Sequence, residues 1–365
     1  MKRIIALTLA LLLALCCLSG CGESSSASSP DTVMTVNGSE VSWDEYVYWL
    51  GYAANQLAQK YSYAGTAIDY TNEEDLTLIF KSAKEAVTQQ HVIFAKAAEL
   101  GVEADETEIE ELIQNYIKSY CGEDATEEDL EAILKESYLT LDTFKLMLRA
   151  NMLYSDIIDS MYGEAGADIP DEDIQGYAST NGYVTATHIL LMTIDDEGNA
   201  VSDSEKEKLK AQAQGFVDEL NTIDDTAKRL ERFNELKTEF CEDTGKVAYP
   251  DGYCFTTGTM VEAFDTAARA LNEYAVSEVI ETEYGYHVIM RLPLTGDDLC
   301  QGADGYPTKL RTLVAENLFT VEFDGWAESA TADFVGKYKS YPFEGLFDEE
   351  GFHYMSYAES TSAEG

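Results

Sequence analysis

The sequence predicts an α+β protein. A helical N-terminal region, completed by a C-terminal helix, flanks a compact α/β or α+β domain of strands with covering helices. Three observations carry this. Residues 43–177 hold successive amphipathic helical patterns, most opened by a capping residue. Near residue 184 the pattern changes to short, continuous apolar runs separated by polar helices and a Gly/Pro/Tyr-rich loop, as expected of strands covered on both faces. From about residue 307 one long amphipathic helix returns without a partner in its own segment. Its apolar side (Leu310, Leu313, Leu318, Val321, Phe323, Trp326) must be buried elsewhere, and the N-terminal helices offer the surface.

The chain opens with Lys2 and Arg3, followed at 4–18 by a run of mainly Leu, Ile and Ala. That run is too short for an ordinary membrane span and has the length of a signal-peptide core. It ends in Leu18-Ser19-Gly20-Cys21, small residues before a cysteine. The expectation is a lipoprotein signal over 1–20, with Cys21 becoming the lipidated N-terminus. Residues 21–32, rich in Gly, Ser and Ala, read as a flexible tether. No later segment is long and apolar enough to span. The body is expected at the outer face of the cytoplasmic membrane, held by lipid.

The N-terminal domain is expected over 33–180. It begins with a strand, an Asn37-Gly38 turn, a second strand, and a helix capped by Ser42 with Asp44 and Glu45 in its first turn. Helices follow over about 72–100, stopped by Gly101; over 105–120; from Thr126 to about 137; and from about 142, with Phe144, Leu148, Met152 and Ile157 at helical spacing. Pro170 opens a short helix. His91 falls inside the long helix and reads as a packing or surface residue. The second domain, 181–294, reads as a strand over 184–194, a helix over 202–220, a solvated insertion over 221–230, a helix over 233–240, a loop, a helix over 264–271 and a closing strand over 288–292. The C-terminal segment, 295–345, holds the helix of about 307–338, and 346–365 is a polar, loose tail.

Charge excludes one class of partner. There are 68 acidic against 24 basic residues, so the surface repels nucleic acid and offers no basic patch for phosphate. Beyond the signal and Cys21 the cysteines are Cys121, Cys241, Cys254 and Cys300, with no CxxC pair and no zinc spacing. Their pairing is left open, and no cofactor or metal is expected.

Only four histidines occur, yet His188 and His287 each open a continuous apolar strand. Two such strands belong side by side in the centre of a sheet, where the histidines can meet as a cross-strand pair. Each would satisfy the other by a hydrogen bond, and mutual repulsion would keep the pair from taking two protons.

Three segments together carry a resemblance. Ala186-Thr187-His188-Ile189-Leu190-Leu191 resembles the opening strand of parvulin-type peptidyl-prolyl isomerases. Gly258-Thr259-Met260 through Phe264 resembles their Gly-x-Met-x-x-x-Phe helix, and Tyr284-Gly285-Tyr286-His287-Val288-Ile289 their closing strand. With the lipobox, the helical flank and the returning helix, the chain is similar to the PrsA/SurA group of extracytoplasmic foldases. The resemblance implies a parvulin-like (FKBP-like) domain of antiparallel sheet with covering helices, and a chaperone domain around it. It implies that His188, His287 and Asp243 form the catalytic centre, that Met260, Phe264 and Phe255 receive the proline ring, and that Tyr284 stands where some relatives have Ser. The implied partners are unfolded secreted polypeptides carrying X-Pro segments, with a homodimer left open. One departure matters: residues 249–255, Tyr-Pro-Asp-Gly-Tyr-Cys-Phe, replace the usual Gly-Gly-Asp-Leu-Gly loop beside the pocket. The same resemblance therefore also admits a holdase whose isomerase is weak or inactive. A thiol hydrolase using Cys241 or Cys254 with His287 lacks a nucleophile motif, and a metal site on the histidines lacks a matching spacing.

Overall fold

The computed structural model describes residues 31–195, 197–303 and 305–353. The expected signal, Cys21, most of the tether and the tail from 354 lie outside the described residues. The chain divides into two compact units: the described residues of Met1–Met161 with Phe319–Gly365, and Tyr162–Leu318.

In the first unit, β1 (Thr32–Val36) and β2 (Ser39–Ser42) form a hairpin. Its turn residues Asn37 and Gly38 both take positive φ, 50° and 87°, as a two-residue hairpin demands. The Ser42 side chain accepts the Glu45 N–H and starts α1 (Trp43–Tyr63). Asn72 caps α2 (Glu73–Leu100), and Gly101, in the left-handed region, ends it. Asp105 caps α3 (Glu106–Tyr116), which runs into a π-helical turn, Ile117–Cys121. Thr126 opens α4 (Glu127–Lys135), its N–H donating to Asp129. The helix α5 (Leu141–Tyr162) follows. These helices share a core built on Trp43, Tyr46, Trp49, Leu50, Ile113 and Phe144.

The second unit begins with α6 (Asp171–Asn181), then β3 (Val184–Met192), α7 (Asp203–Asn221), α8 (Thr226–Phe240), β4 (Tyr253–Phe255), α9 (Glu262–Ala270), β5 (Ile280–Glu281), β6 (Gly285–Leu292), β7 (Leu299–Gln301) and β8 (Pro307–Lys309). The sheet order is β5-β6-β3-β4-β7-β8, so the two apolar strands are central neighbours. They pair antiparallel over eight residues, from Thr185↔Leu292 to Met192↔Gly285. The sheet is mixed rather than wholly antiparallel, because β4 and β7 run parallel. Helices α7 and α8 pack on one face through Phe216, Val217, Phe233 and Leu236 against Ile189, Val288 and Met290. Helix α9 covers the other through Phe264 and Ala268 against Val184, Ala186 and Ile289.

The helix α10 (Leu310–Ser329) runs from the second unit into the first. It is shorter than the expected 307–338. Pro307 belongs to β8, and the Leu310 and Arg311 amides are fixed by the carbonyls of Asp298 and Gly296. After Ser329 the chain extends as β9 (Ala332–Phe334) and pairs with β1. Two further expectations are corrected. The presumed insertion at 221–230 already contains the start of α8, capped by Asp225. The presumed loose tail begins with a hairpin, β10 (Phe347–Asp348) and β11 (Gly351–Phe352). Phe347 and Phe352 hold it, with rings against Tyr70, Phe80 and Tyr138.

Candidate active site

His188 and His287 project from the central strands on the face covered by α9. They are not directly opposite: His287 faces Leu190 and His188 faces Ile289, a diagonal offset of two residues. Their rings meet edge to face, with centroids 5.2 Å apart and planes at 74°. The expected hydrogen bond between them is absent, because the offset and the edge-on rings keep the nitrogens from facing each other. Each instead turns to another residue. Nε2 of His188 stands 3.4 Å from Oδ2 of Asp243. Nε2 of His287 lies 2.8 Å from Oγ1 of Thr282.

Asp243 is fixed by its place in the chain. It follows α8 and caps a 3-10 turn, Thr244–Val247, with Oδ1 accepting the Gly245 N–H at 3.0 Å. Its Oδ2 accepts the Tyr253 hydroxyl at 2.5 Å. The Tyr253 ring lies parallel to His188 (5.7 Å between centroids, 3° between planes) and packs on Tyr249. Phe264 sets its edge against both histidines, at 5.2 and 5.6 Å, and against Phe255. Phe255 and Phe264 are buried, whereas Met260 is half-buried against the same cluster.

The electrostatics split the histidines. Burial opposes a proton on His188, but the adjacent Asp243 carboxylate and Cys241 thiol outweigh it, and the pKa is raised. Burial, reinforced by charge on His188, pushes His287 down to about 3. Burial would raise the Asp243 carboxyl, but His188, Tyr253 and the Gly245 N–H hold it well below the usual carboxylate range. The site is thus an ionised carboxylate beside one imidazole that readily holds a proton, with a second imidazole that stays neutral. Such a set can offer graded hydrogen bonds to an amide on an apolar floor. Cys241 beside them is buried, accepts the Leu190 N–H at 3.4 Å and donates to the His188 carbonyl; burial would raise its thiol pKa, but His188 and the Leu190 N–H outweigh that and hold it below the ordinary value.

Of the residues singled out from sequence, the structure brings together His188, His287, Asp243, Phe264 and Phe255, with Met260 at the edge of their cluster. Tyr284 sits at the surface, 46% exposed, its backbone N–H on the Thr282 hydroxyl. Two residues that touch the histidines were missed. Tyr253 lies in the loop that departs from the family pattern, which was its only signal. Thr282 is one polar residue in an acidic turn and nothing in the sequence marked it. Among the described residues no cluster of His, Cys, Asp and Glu fits a metal ion.

Comparison with known proteins agrees with this layout. A family model described as a SurA-like N-terminal domain matches residues 1–158, and one described as a PPIC-type peptidyl-prolyl isomerase domain matches 188–292. Foldase protein PrsA of Halalkalibacterium halodurans is 28% identical over 278 residues, 75% of this chain and 68% of that protein. Foldase protein PrsA of Caldanaerobacter subterraneus is 25% identical over 301 residues, 79% of this chain and 82% of that protein. The crystal structure of PrsA from Bacillus subtilis matches with 21% identity and a TM-score of 0.29, over 69% of this chain and 84% of that one. By these matches the chain carries a SurA-like N-terminal domain and a PPIC-type peptidyl-prolyl cis-trans isomerase domain, and it is similar to the foldase proteins PrsA.

Proposed function

We propose that this protein is a lipid-anchored, extracytoplasmic foldase that isomerises X-Pro bonds in secreted polypeptides and shields their unfolded segments, with His188, Asp243 and His287 at the catalytic centre. The observation that carries the reading is the His188–Asp243 contact on a floor made by Phe255, Phe264 and the neutral His287. X-Pro isomerisation is slow because twisting the bond breaks amide resonance, a barrier of roughly 18–20 kcal/mol. No covalent step is required. An apolar floor favours the twisted amide over the more polar planar one, and hydrogen bonds tuned to the twisted state lower the barrier by differential binding. In this reading Met260, Phe255 and Phe264 receive the ring, with Tyr284 at the outer rim. The Leu18-Ser19-Gly20-Cys21 sequence supports the anchor, with Cys21 as the lipidated residue.

A second reading is favoured by one observation. Tyr253 lies flat over His188 and occupies one hydrogen-bonding position of Asp243. If that face is closed to substrate, the protein is a holdase whose isomerase turns over weakly. The test is cis-to-trans isomerisation of a short X-Pro peptide series by the chain from residue 22 onward. Asp243→Ala and Met260→Ala, each confirmed as folded, are the controls. Acceleration lost in the folded variants supports the first reading. No acceleration, with client aggregation still suppressed, overturns it in favour of the second.

A further inference from the structure

We propose that Cys254 and Cys300 are a disulfide site that clasps the β7–β8 extension onto the catalytic sheet. The two residues are register partners on neighbouring parallel strands: Cys254 at the centre of β4 and Cys300 at the centre of β7. They are the one residue pair through which these strands are in register. In a parallel ladder, paired residues point to the same face. The spacing between strands, about 4.8 Å, falls inside the about 4.4–6.8 Å that a disulfide spans between α-carbons. The Cys254 thiol stands beside the Cys300 thiol, close enough to act on its proton. Both are buried, and both are free here, as are Cys121 and Cys241. Cys241 is committed elsewhere, to the backbone of β3. Cys121 lies in the other unit.

The surroundings argue for a lasting bond rather than a switch. The neighbouring Cys254 thiol, burial and the Asp298 carboxylate together push the Cys300 thiol far up. Asp298 is itself fixed by Thr185 and Thr295. A thiol held protonated is a poor nucleophile and a poor leaving group. Once the sheet has closed, neither formation nor exchange is favoured, so the bond forms while the chain folds. Two thiols lose two protons and two electrons. A small-molecule disulfide takes them and leaves as two thiols, through a mixed disulfide on one of the two cysteines. The inference needs only such an oxidant, and oxidising compartments are where these bonds persist. Its consequence reaches the candidate site, because β4 also carries Tyr253, the residue next to Cys254.

The test is to refold the reduced, denatured chain from residue 22 onward in glutathione buffers spanning reducing to oxidising ratios. Free thiols are then alkylated and the peptides mapped by mass spectrometry. The expected product links Cys254 to Cys300 and leaves Cys121 and Cys241 alkylated. Backbone amides of β7 should then exchange about tenfold or more slowly than in the reduced protein. Cys300→Ser, checked by circular dichroism, should fold and lose that redox-dependent change. The proposal is overturned if the folded chain keeps both cysteines as thiols in the most oxidising buffer. It is equally overturned if the cross-link falls on another pair, or if β7 exchange responds to oxidation as strongly in Cys300→Ser.

Discussion

Replacing His287 by Gln tests the electrostatics of the site without removing a polar group from the Thr282 hydroxyl. In the native protein His287 is neutral down to about pH 3, whereas an unfolded histidine titrates near 6.5. A depressed folded value means stability that is whole above 6.5 and declines as pH falls, because the unfolded chain takes up a proton that the native site refuses. Each pH unit in that window is worth about 1.4 kcal/mol, so at pH 5 the loss is about 2 kcal/mol, roughly 30-fold in the folded population. The interval from pH 6.5 to 5 isolates this residue. His188 has a raised value, so its contribution is fully present below 6.5 and is lost only as pH rises through its folded value. Asp243 is depressed and its contribution declines only near and below the ordinary carboxylate value of 3.8. All three tryptophans (Trp43, Trp49, Trp326) lie in the other unit, so their fluorescence would miss the event. The assay is native-state amide exchange of β3 and β6 at matched pH in the wild type and His287→Gln. The wild type should lose about 2 kcal/mol relative to the variant between pH 6.5 and 5. Profiles that stay parallel within about 0.5 kcal/mol would refute the buried, neutral assignment.

Tyr253→Phe keeps the ring over His188 but removes the donor to Asp243. It should cost about 1–2 kcal/mol in β3 amide exchange and raise the Asp243 pKa in a carboxyl-carbon NMR titration. Phe264→Ala removes the ring wedged against both histidines and should destabilise the second unit by about 3–5 kcal/mol, seen in the same exchange measurement. Glu45→Ala leaves His91 without its buried hydrogen-bond partner at 2.9 Å and should cost the first unit about 1–3 kcal/mol in tryptophan-detected urea unfolding.

Local signals were legible wherever a short segment decides its own conformation. The Asn37-Gly38 turn, the Ser42 cap and the Gly101 stop all fall where the sequence places them, because each depends on a φ value or one side-chain acceptor. The unbroken apolar runs after His188 and His287 placed their strands in the sheet centre for an equally direct reason: only a strand covered on both faces is apolar at every position. What failed depends on register. A shift of two residues keeps both histidines on one face but turns a face-on pair into a diagonal one, and composition does not encode that offset. The buried His91–Glu45 hydrogen bond was equally hidden, since 46 residues separate its partners. The hairpin at 347–352 looked like tail because its two phenylalanines find their aromatic partners far upstream.

The altered loop at 249–255 changes meaning once its anchors are counted. A lost Gly-rich segment beside a pocket suggests a loose wall, yet Pro250, Gly252 and Tyr253 are each anchored. The Lys237 ammonium, buried on α8, donates to the Pro250 carbonyl at 2.8 Å and to Thr187 on β3 at 2.9 Å. Gly252 takes φ of 124° and lies so close to β3 that a β-carbon would stand 2.8 Å from the Ala186 carbonyl, so no other residue fits without moving the strand. Tyr253 then reaches Asp243 and covers His188. The loop is a rebuilt wall that holds Asp243 ionised and aims it at His188, and it leaves half-buried Met260 on the accessible side of the cluster. In the proposed isomerase reading, a peptide would approach from the Met260 side along the start of α9, with Tyr253 restricting which residues flank the proline.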